Sequence, residues 1–399
     1  MEIGNVSSKQ PDAYERLGAS ATKADIHAAV AGADPGLFPT AFCKLTEDVL
    51  TGDPEWCAAL HADGAGTKAL VAYLVYRETG DPKAFAGIAQ DALVMNIDDL
   101  ACVGATSKYL AVNTIGRNSR YVPGEAIREI VRGFDWCANK WRPYGIEVVP
   151  TGGETADLGD AVRTIVVDAA VAARLRRSDV IDAGGIAPGD AIVGLSSTGQ
   201  AVYEERPNSG VGSNGLTLAR HALLHSDYRS KYPETVAPEI DPAITYRGKF
   251  RIGDPLPGGG MTVGEALLSP TRTYAPVLRR LIGEFGPAVH GLIHNTGGGL
   301  GKCLRFGKGV RFIKDNLFPM PPLFAAIAET GLTWTEMCRT FNLGQRMEVY
   351  VSPNLAERVI AIAAEFGIEA RTIGRCERAA GPNEVWVKGA GGETTLTAE

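Results

Sequence analysis

His61-Ala62-Asp63-Gly64-Ala65-Gly66-Thr67-Lys68, followed closely by Asp91-Ala92-Leu93-Val94-Met95-Asn96-Ile97-Asp98-Asp99, decides how this chain reads. The first stretch is a turn loosened by glycines that carries an acid and a lysine. The second is a helical pattern with three more acids. An Asp at a strand end and a Lys point charge form half of what a polyphosphate with a bridging Mg2+ requires. Taken alone, the first stretch reads equally well as a tight turn with a surface Asp-Lys pair. The acidic helix shifts that balance, because carboxylates beside an apolar stripe repel one another unless a cation compensates them. The Asp63–Lys68 stretch is neither a GxxxxGK[ST] loop nor a GxGxxG turn, so the pairing points to ATP without either of those phosphate-binding signatures.

At 399 residues, two domains are the better prior than one or three. Hydrophobic residues make up 45% and charged residues 22%, which allows a sizeable core. With 40 Lys+Arg against 46 Asp+Glu the net charge is -6, so no general basic surface is available for nucleic acid or an anionic membrane. The cysteines at 43, 57, 102, 137, 303, 338 and 376 form no CxxC pair and read as reduced, mostly buried thiols. No apolar run approaches the roughly 18 residues of a membrane span, and Met1-Glu2-Ile3-Gly4 lacks the features of a signal peptide, so a cytosolic location is expected.

Working outward, apolar β-prone runs repeatedly end in glycine. Ala58 to His61 leads into the first turn, Glu147 to Pro150 into Thr151-Gly152-Gly153-Glu154-Thr155, Ala191 to Leu195 into Ser196 to Gly199, and Val289 to Ile293 into His294-Asn295-Thr296-Gly297-Gly298-Gly299. Such junctions suit a ligand contacted largely by backbone. Between Ala84 and Ala105 the apolar spacing is helical, and Asp91 and Asp98, seven apart, fall on one face. Glu125 to Trp141 is a second helix, and Arg163 to Leu175 alternates as a strand. The later chain reads as a strand near 191, helices from Asn214 and Thr271, a strand near 289, short helices to about 339, a strand over Met347 to Val351, a helix over Pro353 to Phe366, and strands near 370 and 385. The stretch Asp182 to Asp190 breaks both periods and is the expected linker, dividing the chain into 1–182 and 183–399. Ser226 to Thr262 reads as a long ordered excursion, a lid or an interface arm.

Several groups carry candidate chemistry. Thr151 to Thr155 offers backbone N–H groups and the Glu154 carboxylate, although an ordinary turn is an even alternative. Gly210-Val211-Gly212-Ser213-Asn214-Gly215, opening a helix, resembles a phosphate-binding N-terminus, with plain capping the commoner outcome. His294, ending a strand beside three glycines, is the strongest acid/base candidate, while a lone histidine is more often structural. His221 and His225 share a helix face but lack further ligands for a metal.

In this order the motifs resemble the phosphoribosylformylglycinamidine cyclo-ligases, of the ATP-binding superfamily that includes selenophosphate synthetase, formylglycinamidine ribonucleotide synthetase, thiamine-phosphate kinase and a hydrogenase maturation protein. The matches are Asp63-Gly-Ala-Gly-Thr-Lys68, Asp91 to Asp99 with Gly104-Ala105, Gly152-Gly-Glu-Thr-Ala156, Ser213-Asn-Gly215, Pro270-Thr-Arg-Thr-Tyr274, His294 to Gly299 and Met337-Cys-Arg-Thr-Phe-Asn-Leu-Gly344. Asp98-Asp99 stands where the family usually has Asn-Asp, and Val211-Gly212 where it has Pro-His, which marks a divergent subgroup. The resemblance implies a two-domain α/β fold with mixed sheets flanked by helices, and a homodimer in which N-terminal sheets pair. It implies ATP-dependent closure of the imidazole ring of formylglycinamidine ribonucleotide. It further implies ATP on Asp63, Gly64, Gly66, Thr67, Lys68, Asp91 and Gly152 to Thr155, and Mg2+ on Asp63, Asp91, Asp98 and Asp99. Substrate is implied on Ser213, Asn214, Gly215, Thr296, Gly297, Gly298 and Asn342, with His294, Lys68 and Asp99 catalytic. A selenophosphate synthetase would call for a reactive cysteine, for which Cys43 is the one suggestive position; a noncatalytic nucleotide-binding regulator could have lost the carboxylates retained here.

Overall fold

The computed structural model describes residues 12–20 and 24–398, so Met1 to Gly4 lie outside it. The first half is built on β1 (Thr46–Glu47), β2 (Trp56–Gly64), β3 (Lys108–Arg117), β4 (Glu147–Asp157) and β5 (Ile165–Arg176), in the order β1-β2-β5-β3-β4. All neighbours are antiparallel except β3 and β4. In β5 the residues Ile165, Val167, Ala169, Val171, Ala173 and Leu175 are buried, and those between them face the other way. After α1 (Ala24–Val30), the helices α2 (Lys68–Thr79), α3 (Ile88–Ala101) and α4 (Gly124–Trp141) cover the inner face. The outer face is left open, with Leu60, Leu110, Val112 and Val166 exposed.

Thr151 to Thr155 is not the expected turn. It is the middle of the edge strand β4, and a register shift opposite Gly152, at φ 107°, absorbs the glycines.

The second half contains β6 (Ala191–Ser196), β7 (Thr198–Gly199), β8 (Asn208–Ser209), β9 (Val289–His294), β10 (Val310–Lys314), β11 (Gln345–Val351), β12 (Ala370–Arg378), β13 (Glu384–Gly389) and β14 (Gly392–Thr397). Seven of these form a sheet ordered β14-β13-β10-β12-β6-β11-β9, while β7 and β8 pair separately. β6 and β11 are buried throughout; β6 accordingly reads as an apolar run without alternation, whereas β11 takes Gln345, Arg346 and Glu348 into the interior. β10 lies inside a stretch expected to hold only short helices. The helices here are α5 (Leu216–Leu223), α6 (Asp227–Lys231), α7 (Val263–Leu267), α8 (Ala275–Phe285), α9 (Pro322–Ala328), α10 (Trp334–Thr340) and α11 (Ala356–Glu365).

Every residue of α3 is buried, because the first sheet, α4 and α8 all pack on it. One hydrophobic core runs from Val167 and Val171 of β5 through Leu93 and Ile97 of α3 to Tyr274, Leu278, Met347 and Val349. The stretch expected as a linker is packed too, with Ala183 and Ile186 buried. Residues Ser226 to Thr262 fold back as an arm on α2. Arg77 Nη1 meets Glu234 Oε1 at 2.9 Å, and Lys231 Nζ and the Tyr232 hydroxyl both meet Glu78 Oε1 at 2.8 Å. Among the described residues no helix is long and apolar enough to cross a membrane.

The arm is anchored on α5, where the His221 ring packs edge-on to Tyr246 at 4.6 Å and Arg220 lies 3.1 Å from its Nε2. Burial, and then the Arg220 charge, push the His221 pKa down to about 2. The unfolded chain takes up a proton below pH ~6.5 that the folded chain refuses, so this group costs stability as pH falls from there toward the folded value. Urea melts should therefore show a loss of about 1.4 kcal/mol per pH unit below roughly pH 6 that His221→Gln removes. Equal pH slopes in the two proteins would refute the assignment.

Candidate active site

The turn between β2 and α2 meets the second half directly. Gly64 is required where it stands, since a Cβ there would lie 1.8 Å from Asp168 Oδ1. Gly66, at φ 53°, faces the carbonyl of Ser213, and the Thr67 hydroxyl lies 2.8 Å from that of Thr217 on α5. Lys68 does not project toward a phosphate as expected. It begins α2 pointing inward, fully buried, with Nζ 2.7 Å from Asp91 Oδ1 and donating to the Ser269 carbonyl. Burial lowers its pKa, with Asp91 opposing. Asp91 Oδ1 also accepts from the Thr271 N–H at 2.8 Å and its hydroxyl at 2.6 Å. The pair is thus a latch closing the 269–271 segment onto α3.

Asp98 and Asp99 serve different partners. Asp98 accepts from the Thr273 hydroxyl at 2.6 Å and the Tyr274 N–H at 2.9 Å, so both its oxygens tie α3 to the second half, and burial raises its pKa. Asp99 Oδ1 is 2.7 Å from His294 Nδ1 and its Oδ2 is 3.5 Å from His61 Nε2. Burial opposes ionisation of Asp99, but the His294 hydrogen bond and charge and the His61 charge outweigh it and lower the pKa. His294 is fully buried, and its Nε2 accepts from Arg346 Nε at 3.0 Å. Both ring nitrogens are engaged, so the imidazole is a link from Asp99 to Arg346 and not a base open to the cleft. Arg346 was missed in the sequence; its only signal is a cation entering an apolar strand two residues after the Met337–Gly344 motif.

Four loops converge beside these groups. Asn342, expected to touch substrate, spends its amide within the protein: Oδ1 accepts from the Ser197 hydroxyl at 3.1 Å and the Gly344 N–H at 2.9 Å, and Nδ2 donates to the Gly210 carbonyl at 3.1 Å. A Cβ on Gly299, at φ 52°, would lie 2.4 Å from the Cys338 carbonyl oxygen, and one on Gly297 would lie 3.8 Å from Asn214 Nδ2. The Gly215 N–H is met by Tyr14 from the N-terminal segment, a contact no sequence signal announced. Among the described residues six buried side-chain atoms lack partners, and Asp91 Oδ2, Ser213 Oγ and Asn295 Oδ1 among them belong to this region, where water or a ligand could meet them.

Some expected residues do not join. Gly152, Gly153, Glu154 and Thr155 lie exposed on β4, separated from β2 by β5 and β3, about 14 Å across the sheet. The four aspartates do not converge either, and among the described residues no three His, Cys, Asp or Glu side chains are grouped to hold a metal. Asp63 is exposed and instead neighbours Asp168, whose pKa is raised by burial and by the Asp63 charge. Asp168 was overlooked, although an acid inside the apolar run Ile165 to Ala173 was its visible sign. Mg2+ needs only one or two carboxylates besides phosphates and water. Asp91 keeps one oxygen, Oδ2, without a partner and Asp63 is exposed, whereas Asp98, with both oxygens donated to, has none left for a metal. Cys43 Sγ lies 3.7 Å from the Asp99 carbonyl, and burial pushes its thiol pKa up, so it is no activated nucleophile.

Residues 46–175 match the AIR synthase related protein family, N-terminal domain, and residues 187–387 its C-terminal domain. A phosphoribosylformylglycinamidine cyclo-ligase from Methanocaldococcus jannaschii is 31% identical over 326 residues, 80% of this chain and 78% of that one. The protein of the same name from Symbiobacterium thermophilum is 30% identical over 351 residues, 86% and 84% of the two chains. Among solved structures, a HypE-HypF complex matches with a TM-score of 0.54 at 15% identity, covering 94% of this chain and 99% of that one. The T. maritima PurL complexed with FGAR matches with a TM-score of 0.50 at 16% identity, over 96% of this chain and 54% of that one. At such identities the likeness to these structures is one of fold.

Lys68→Met should leave the Asp91 carboxylate buried without its cation and cost about 3–5 kcal/mol in denaturant melts. Adding Asp91→Leu should recover much of the loss. A single variant as stable as the parent would show that the latch does not hold the fold.

Proposed function

This chain belongs to the AIR synthase related protein family, and from that membership we propose how it works as an ATP-dependent cyclo-ligase of de novo purine biosynthesis. The reaction converts formylglycinamidine ribonucleotide to aminoimidazole ribonucleotide, releasing ADP and phosphate. The observation that carries the reading is the set of relatives named for this activity, about 30% identical across four fifths of the chain. The convergence of loops 63–68, 210–215, 294–299 and 338–344 from both halves gives that chemistry a place.

The formyl amide oxygen attacks the γ-phosphorus of ATP, and the bond to ADP breaks. The amidine nitrogen then attacks the activated carbon, the C–O bond breaks to expel phosphate, and a proton leaves the new ring. Both steps need alignment and charge stabilisation more than a strong base. In the glycine loops, the N–H groups of Gly212 to Asn214 and of Gly297 and Gly298 are offered to anionic oxygens at close approach, those of Gly210, Val211, Gly215 and Gly299 being spent within the protein. Ser213 and Asn295 carry the unpartnered polar atoms that orient the substrate, and Thr296 and Gly297 line the same turn. Mg2+, when bound with the nucleotide, neutralises phosphate charge; Asp91 through Oδ2 and Asp63 are the residues that would hold it. His294 and Asp99 act through Arg346 and do not shuttle protons themselves. The cytoplasm is the location that goes with this reading.

The active form is a homodimer on this reading. An open sheet face bearing Leu60, Leu110, Val112 and Val166 needs a second layer, and a second copy supplies it while covering the exposed Gly152 to Thr155 strand. Leu110→Glu should shift the protein to monomer in sedimentation at micromolar concentration; an unchanged dimer, or a monomeric parent, would remove this face as the interface.

Steady-state assay with formylglycinamidine ribonucleotide, ATP and Mg2+ should yield ADP, phosphate and aminoimidazole ribonucleotide in equal amounts. Folded protein that hydrolyses no ATP with this substrate would overturn the assignment.

A further inference from the structure

Two buried arginines in this chain are treated very differently. Arg272 has its charge answered in full: Nε and Nη2 bond Glu204, at 2.9 Å and 2.5 Å, and Nη1 and Nη2 reach the carbonyls of Ser196, Thr198 and Gly199 at 2.8–2.9 Å. Arg346, 1% exposed, has its Nε on His294 Nε2 and its Nη2 on the Met95 sulfur at 3.5 Å, a weak acceptor. Among the described residues no carboxylate comes within ion-pair distance of it, although the charges of Asp98, Asp91 and Asp99 act on it from further off against the cost of its burial. A buried guanidinium with no carboxylate in direct contact is costly, and such a group persists where a ligand completes it.

The surroundings point to the side on which the ligand lies. Asp99 on His294 Nδ1 fixes the tautomer that presents an Nε2 lone pair to Arg346, which sets the plane of the guanidinium. Nη1 then lies over Gly212, where a Cβ would come within 2.0 Å of it. The next residue, Ser213, has a buried hydroxyl with no partner. Fork-shaped donors beside a free hydroxyl and a glycine loop match the oxygens of a phosphate.

We infer that Arg346 is a phosphate-contacting cation of this site, aimed by Asp99 and His294 as positioning residues, and that its missing acceptor is a phosphate oxygen of a bound ligand. The inference rests on the cyclo-ligase reading only for the sources of that phosphate, the transferring group of ATP or the 5'-phosphate of the ribonucleotide.

Calorimetry on the full chain with inorganic pyrophosphate and with ribose 5-phosphate separates the two sources without requiring turnover. Arg346→Met should weaken one of these probes by about tenfold or more, and Arg346→Lys should restore part of the loss. Gly212→Ala, which displaces the guanidinium while keeping its charge, should weaken the same probe and covers the case in which Arg346→Met fails to fold. In turnover, the KM of the reactant carrying that phosphate should rise, or kcat should fall if the phosphate is the transferring one. Both probes binding the folded variants as they bind the parent, or variants losing only thermal stability, would overturn the inference. Failure of the parent to cyclise the substrate would sink the functional reading alone.

Discussion

Three carboxylates on one fully buried helix must each find a partner from outside it, and the rest of the molecule is arranged around that demand. Asp91 is answered by Lys68 and Thr271, Asp98 by Thr273 and Tyr274, and Asp99 by His294 and His61. A buried charge left unmatched costs several kcal/mol, comparable to the whole stability of a domain. Asp91 and Asp98, two turns apart, meet the same 269–274 segment; Asp99, a residue further round, reaches β9. The helix therefore belongs to the first half by chain and to both halves by energetics, which is why one core spans them.

That arrangement explains where the loops lie. Latching 269–274 onto α3 draws α5 and the Gly210–Gly215 loop against the turn of Gly66 and Thr67, and the Asp99–His294 bond brings in the Thr296–Gly299 turn. Asn342 then pins its own loop to Gly210 and Ser197. Several residues that look like ligand contacts in sequence thus hold the loops in place.

Much of this was visible in the residues. The seven-residue spacing of Asp91 and Asp98 put them on one face, the alternation over 163–175 gave β5, and the ordered motifs gave the family. Local pattern does not specify tertiary partners, and the differences arise there. A lysine in the first turn of a helix reads as surface, yet Lys68 turns inward because Asp91 waits 23 residues on. Thr151 to Thr155 carries turn residues, and pairing with β3 overrode them. Val310 to Lys314 is too short to signal a strand, and Arg346 gave no hint that it would meet His294, since that contact spans 52 residues.

The central claim is that nucleotide binds where the two halves meet on α3. Amide hydrogen exchange with and without a non-hydrolysable ATP analogue and Mg2+ tests it most directly. The account predicts added protection in residues 63–68, 210–215 and 294–299 together. Protection confined to one half, or absent from these loops while the analogue binds, would contradict it.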